Sequence, residues 1–228
     1  TIVDQSNIFR VSPLIDQADV SSQIGVDGWS GVIFEELAFC VHLNLRCDPS
    51  DSQTLTAAST IFGVGLPLVP NTFHEASDTR IHWLGPDEWL VLAPMTHIHL
   101  FEKINSAWTG FHHSVTDITG GQTVVRIEGE RAREVLNQGC TLDLHQRVFK
   151  VGQCAQSLLA HVPVLISRCT DNGNGTCRFD LVVRRSYADH LVRWLVDAAR
   201  EIGFVNRLGS PRQRTSPTNR SQMWPASK

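Results

Sequence analysis

Apolar residues at Leu37, Phe39, Val41, Leu43 and Leu45 alternate with Cys40, His42, Asn44 and Arg46. A period of two predicts a half-buried strand. Asp51 or Ser52 then suits an N-cap, and Leu55, Ala58, Ile61 and Phe62 recur at helical spacing up to a stop at Gly63. Residues 79–84 and 89–93 read as strands joined by Gly85-Pro86-Asp87-Glu88, where Pro and Gly preset the bend. A helix over 97–106 follows, presenting Ile98, Phe101, Ile104 and Trp108 to the core.

The later part of the chain repeats this logic. Residues 113–119 and 123–128 are expected to pair as a hairpin around Gly120-Gly121. Gly129 precedes a helix with Ala132, Val135 and Leu136 on one face, ended by Gly139. Residues 156–168 form a long apolar stretch, expected to bend or break at Pro163, and 178–184 read as a strand. The last helix carries Leu191, Trp194, Leu195, Ala198 and Ile202, with Ser186 and Asp189 as a capping box variant and Gly203 as its stop. Residues 89–105 and 179–195 thus spell one phrase twice: an apolar strand, a hydroxyl cap at Thr96 or Ser186, and an amphipathic helix. The chain reads as α+β with duplicated strand-helix-strand-strand-helix halves, 31–111 and 112–205, together one domain. Residues 1–30 carry little periodicity and read as an extended arm. Residues 206–228 form a polar C-terminal tail, rich in Ser, Pro, Arg, Asn and Gln beyond Leu208 and expected to be disordered or to wrap a partner.

Composition narrows the function. Of 228 residues, 42% are hydrophobic and 19% charged, enough for an ordinary core. A net charge of −3 gives no field that would favour nucleic acid or an anionic membrane. No apolar run approaches the roughly 20 residues that span a bilayer, no signal peptide is expected, and Thr1 fits removal of an initiator methionine. A cytoplasmic location is expected. Cys40, Cys47, Cys140, Cys154, Cys169 and Cys177 contain no Cys-x-x-Cys pair. Cys169 and Cys177 could face each other across a hairpin, but in a cytosolic protein they read as free thiols.

No catalytic constellation emerges, so no catalytic, cofactor-binding or metal-ligating residue is assigned. His97 and His99 point in different directions on a helix, and His112 and His113 face opposite sides of a strand. Neither pair chelates well. Asp87 and Glu88 could form an acid/base pair, but in a Gly-Pro turn they read as solvated turn formers. Arg184-Arg185 before Ser186 admits two readings, an anion site at a helix start or a salt bridge to a neighbouring subunit. Gly63-x-Gly65 opens no helix, so no dinucleotide fingerprint is present, and no Ser or Cys sits in a nucleophile elbow. Trp29, Trp83, Trp89, Trp108 and Trp194 suit core or interface anchors. Trp224 sits in the polar tail and is expected to dock on a partner.

Residues 112–205 resemble the folate-binding unit of the aminomethyltransferase (glycine cleavage T-protein) superfamily. The matching pieces are Asp117-Ile118-Thr119, the run from Val125 to Leu136, Asp143-Leu144, Gly152, Leu158-Leu159 and the strand and helix from Phe179 to Trp194. That resemblance implies a carboxylate working beside folate after the apolar run. Here the stretch Ala160-His161-Val162-Pro163-Val164-Leu165-Ile166 holds no acid, and neither Val nor Pro can accept a proton. Leu84-Gly85-Pro86-Asp87-Glu88-Trp89-Leu90, Gly139-Cys140-Thr141-Leu142-Asp143-Leu144 and Val183-Arg184-Arg185-Ser186-Tyr187-Ala188 are similar to the gamma subunits of heterotetrameric sarcosine oxidases. This similarity covers about residues 31–205. It implies a non-catalytic subunit that packs directly on alpha, with beta and delta in the same complex, which oxidises sarcosine to glycine. FAD, FMN, NAD and tetrahydrofolate are then expected in the partner subunits, none in this chain. A small subunit of an N-methylglutamate dehydrogenase and a stand-alone folate-dependent one-carbon transferase are the alternatives.

Overall fold

Two sheets lie face to face, each covered on its outer side by two helices. The computed structural model describes residues 11–171 and 176–209. The seven-stranded sheet contains β1 (Gln23–Ile24), β2 (Val32–Leu37), β8 (Gln122–Gly129), β9 (Cys154–Leu159), β10 (Val162–Cys169), β11 (Cys177–Arg184) and β12 (Gly203–Arg207). Its order is β1-β12-β2-β8-β11-β10-β9, antiparallel except where β12 runs parallel to β2. The five-stranded sheet contains β3 (Cys40–Cys47), β4 (Phe73–Ala76), β5 (Thr79–Gly85), β6 (Glu88–Pro94) and β7 (His113–Asp117), in the order β4-β5-β6-β3-β7.

Period-two alternation on these strands feeds two different layers. Val41, Leu43, Leu45, Trp89 and Val91 pack under α1 (Ser52–Phe62) and α2 (Leu100–Ala107). Val125, Ile127, Phe179, Leu181 and Val183 pack under α3 (Ala132–Asn137) and α4 (Arg185–Ala198). The alternate residues Cys40, Leu90, Leu92, Val124, Leu165 and Val182 meet between the sheets. Both strand faces are therefore dry, unlike a surface sheet whose polar face meets water.

Local signals place α1, α3, β5, β6 and β11 as the sequence pattern implies. The Asp51 side chain accepts from Gln53 N–H at the start of α1, and Gly63 ends it at φ 73°. Other expectations are corrected. The strand expected over 37–45 is two strands, because the chain turns at Ala38-Phe39 (Phe39 φ 59°) and crosses from one sheet to the other. The expected hairpin around Gly120-Gly121 does not form. β7 pairs with β3 and β8 with β2 and β11, and Asp117 Oδ1 turns the chain by accepting from Thr119 N–H. The stretch 156–168 breaks at Ala160-His161 (φ 51° and 66°), not at Pro163. Pro163 lies past the last β10–β11 pair, Val164 with Val183, so its missing N–H costs that ladder nothing.

The two hydroxyl caps are also corrected. Thr96 lies in a 3-10 turn, Met95–His97, and α2 begins after His99. Ser186 lies inside the first turn of α4, because β11 runs into that helix with no intervening loop. Asp189 instead accepts from Gln17 Nε2 at 2.5 Å and Arg193 Nε at 2.8 Å. The arm is fastened to the fold: Leu14 is fully buried, and Asn206 Nδ2 donates to the carbonyls of Gln17 and Val20. Asn206 and Arg207, placed with the tail by composition, belong to β12, and Leu208 is buried. The expected disorder or wrapping beyond that point, with Trp224, lies outside the described residues.

Candidate functional site

The largest concentration of buried charge sits between the sheets. Arg126 on β8 and Asp180 on β11 are direct cross-strand partners. Arg126 Nε donates to Asp180 Oδ1 at 2.8 Å and Nη2 to Oδ2 at 2.9 Å, a two-pronged pair. Arg80 on β5 reaches across from the other sheet, donating from Nη1 to Asp180 Oδ2 at 2.6 Å and from Nε to Glu75 at 2.9 Å. It also donates to Cys169 Sγ at 3.3 Å. Asp180 is 1% exposed.

Burial alone would push the Asp180 carboxyl up, but the Arg126 and Arg80 charges outweigh it and hold it well below the usual carboxylate range. Such a carboxylate takes no proton near neutral pH and is no general base. Burial lowers His42 to about 4, and burial plus the Arg80 charge lower His82 to about 3. His42 Nδ1 contacts the Cys40 carbonyl at 3.0 Å, and neither ring nitrogen of His82 makes a hydrogen bond of ordinary geometry. Burial raises the thiols of Cys40 and Cys169 to about 12, so both stay protonated. The cluster binds one sheet to the other. Its carboxylate is spent on two guanidiniums.

The residues weighed from sequence fall elsewhere. Glu88 accepts from Asn44 and Arg46, each at 2.7 Å, and Asp87 lies 3.9 Å from Arg46, so both brace one arginine. His97 lies 3.7 Å from Asp78, while His113 packs edge-on against Trp108 and contacts the Phe111 carbonyl at 3.0 Å. Arg185 donates to the Val11 carbonyl at 2.5 Å, tying the arm to the start of α4. Trp89 and Trp108 are fully buried, Trp83 and Trp194 are partly buried core neighbours, and Trp29 is exposed. All six thiols are free. Among the described residues no three His, Cys, Asp or Glu side chains are grouped so that they could hold a metal ion. Val162, Val164 and Ile166, in the stretch without an acid, are core residues under α3 and α4. Arg80, Arg126 and Asp180 escaped the sequence pattern. The available signal was a charge on each of two otherwise apolar strands, Val125-Arg126-Ile127 and Phe179-Asp180-Leu181.

Residues 46–201 match the sequence model of the sarcosine oxidase gamma subunit family. The chain belongs to that family. It is 34% identical over 203 residues to the sarcosine oxidase subunit gamma of Corynebacterium sp. (strain U-96), covering 88% of this chain and 95% of that one. It is 31% identical to the Arthrobacter sp. subunit gamma, with the same two coverages. Among solved structures, it is similar to a chain of the heterotetrameric sarcosine oxidase from Corynebacterium sp. U-96 in complex with pyrrole 2-carboxylate. That likeness has a TM-score of 0.73 and 31% identity, covering 85% of this chain and 96% of that chain. The glycine cleavage system aminomethyltransferase T from Bartonella henselae has a TM-score of 0.62 at 12% identity, over 88% of this chain and 60% of that chain. This second likeness shows a shared fold, as the α+β reading expected.

Proposed function

We propose that this gamma subunit serves a heterotetrameric sarcosine oxidase as a structural and docking component, packed directly on alpha, with beta and delta in the same complex. The complex oxidises sarcosine to glycine and reduces oxygen to hydrogen peroxide. The one-carbon unit leaves as 5,10-methylenetetrahydrofolate or formaldehyde. FAD, FMN, NAD and tetrahydrofolate reside in the partner subunits, which carry the redox chemistry that side chains cannot supply. The observation that carries this reading is the length of the match, 95% of the Corynebacterium gamma chain. The locked inter-sheet cluster supports it, since those ionisable groups are held in states that neither attack nor accept a proton. We also assign the complex to the cytoplasm. Six free thiols support this, and no helix among the described residues is long and apolar enough to cross a membrane.

Co-expression with the three partner subunits tests the proposal. The assembled complex should produce hydrogen peroxide from sarcosine, and the chain alone should neither do so nor bind tetrahydrofolate tightly. Tight folate binding by the isolated chain would favour a free-standing one-carbon transferase. Turnover of N-methylglutamate in place of sarcosine would favour the related dehydrogenase.

A further inference from the structure

The layer between the sheets holds polar groups that the Asp180 cluster does not use. Arg80 and His82 on β5 face this layer, because Ile81 between them packs on the helix side of its sheet. On β10, Ile166 packs under α3 and α4, so Leu165, Ser167 and Cys169 face the same layer from the other sheet. His82 and Ser167 are both 0% exposed. Neither ring nitrogen of His82 nor the Ser167 hydroxyl makes a hydrogen bond of ordinary geometry with the protein.

The strand register brings these two side chains together. Asp180, Ser167 and Cys154 are direct neighbours in one row across β11, β10 and β9. β5 crosses above that row. At one end Arg80 Nη1 donates to Asp180 Oδ2 at 2.6 Å, and at the other Cys154 Sγ lies 3.9 Å from the Trp83 carbonyl. His82 lies between Arg80 and Trp83 on β5, and therefore over the middle of the row, at Ser167. The Phe73 ring, with its centroid 5.2 Å from that of His82, packs against the imidazole.

We propose that one water molecule is bound between the sheets at this point, joining a His82 ring nitrogen to Ser167 Oγ. Buried polar groups of native proteins are nearly always paired, with ordered water where the protein supplies no partner. A water serves both groups at once, since it can donate to an imidazole nitrogen and either donate to or accept from a hydroxyl. The complete burial of both side chains leaves no opening for a larger ligand. Nearby charge disfavours a small ion of either sign: two guanidiniums oppose a cation, and the Asp180 carboxylate opposes an anion. The water adds a second polar tie between the sheets, one strand away from the Arg80–Asp180 pair.

A crystal structure of the full chain or of its complex, at a resolution that shows ordered water, tests the proposal. The expected result is a density peak within about 3.2 Å of both a His82 ring nitrogen and Ser167 Oγ. A His82 ring bonded directly to Ser167, or turned onto the Leu90 carbonyl with no peak between the two side chains, overturns it. Oxygen-17 relaxation dispersion of the solvent gives an independent reading in solution, because a buried water exchanges slowly. Ser167→Val, which removes the hydroxyl and fills its space with methyl groups, should lose one long-lived water relative to the parent. Ser106→Ala, at an exposed position, should lose none. Equal numbers of long-lived waters in the parent and a folded Ser167→Val overturn the inference. Should Ser167→Val fail to fold, the density at His82 in the parent decides alone.

Discussion

Asp180→Asn removes one negative charge and almost no volume from the space between the sheets. The guanidiniums of Arg126 and Arg80 stay behind, 4% and 2% exposed, with their shared anion gone. Breaking a buried ion pair from one side costs about 3–5 kcal/mol, because the remaining charge stays desolvated after its counter-charge is removed. Glu75 still accepts from Arg80 at 2.9 Å, which moderates the loss on that arm, whereas one of the two Arg126 prongs meets an amide NH2 in place of an acceptor. For a chain of this size each kcal/mol is about 2–4 °C in Tm, so the variant should melt about 6–20 °C below the parent at pH 7. Thermal unfolding followed by circular dichroism measures this directly. Replacing all three members with Arg80→Met, Asp180→Leu and Arg126→Met should recover most of the loss, since an apolar triad needs no compensation for desolvated charge. The acid response has a defined sign. The folded pKa of Asp180 lies below the unfolded value of about 3.9, so its contribution is fully present above that value and is lost as pH falls from there through the lower folded value. The Asn variant should therefore show a smaller acid destabilisation than the parent. A Tm within about 2 °C of the parent at pH 7 would refute the reasoning.

Three further outcomes follow from other parts of the fold. His42 and His82, lowered to about 4 and about 3, favour the folded state fully above their unfolded value of about 6.5 and progressively less as pH falls toward the folded values; each adds up to about 1.4 kcal/mol per pH unit in that window, so urea midpoints should drop from pH 7 to pH 4 and flatten in His82→Phe. Trp89→Ala empties a fully buried site and strands the Pro67 carbonyl that accepts from Trp89 Nε1 at 2.8 Å; a loss of about 3–5 kcal/mol is expected by denaturant unfolding. Gly203→Ala imposes a side chain at φ 78° and 2.2 Å from Gly25 N, so a destabilisation of about 1–3 kcal/mol or more should separate it from Gly152→Ala, where φ is 87° but nothing lies within 4 Å.

Helices and hairpins governed by neighbouring residues were legible in the sequence. Asp51 and Gly63 bound α1, and Gly85-Pro86 joins β5 to β6, because caps and turns act over a few residues. Two turns were not. Phe39, Ala160 and His161 adopt positive φ without glycine, an arrangement tertiary packing imposes against local preference. The alternation that marked β3 was correct, yet nothing in it distinguishes a polar face that meets water from one that meets a second sheet. For the same reason His42, Arg126 and Asp180 passed as ordinary strand residues, and only their spatial convergence reveals the buried cluster. β12 is five residues long, and its composition merges into the polar tail.

The parallel pairing of Val32 with Phe204 has a consequence for synthesis. As the polypeptide leaves the ribosome, β2 can pair with β8 well before β12, its neighbour on the other side, is translated. Contacts so distant along the chain are formed slowly, and an uncovered strand edge in the meantime invites chaperones or misassociation. A nascent chain halted before Gly203 would keep that side of the sheet unsealed, so quality control has a natural checkpoint at the last few codons of the fold.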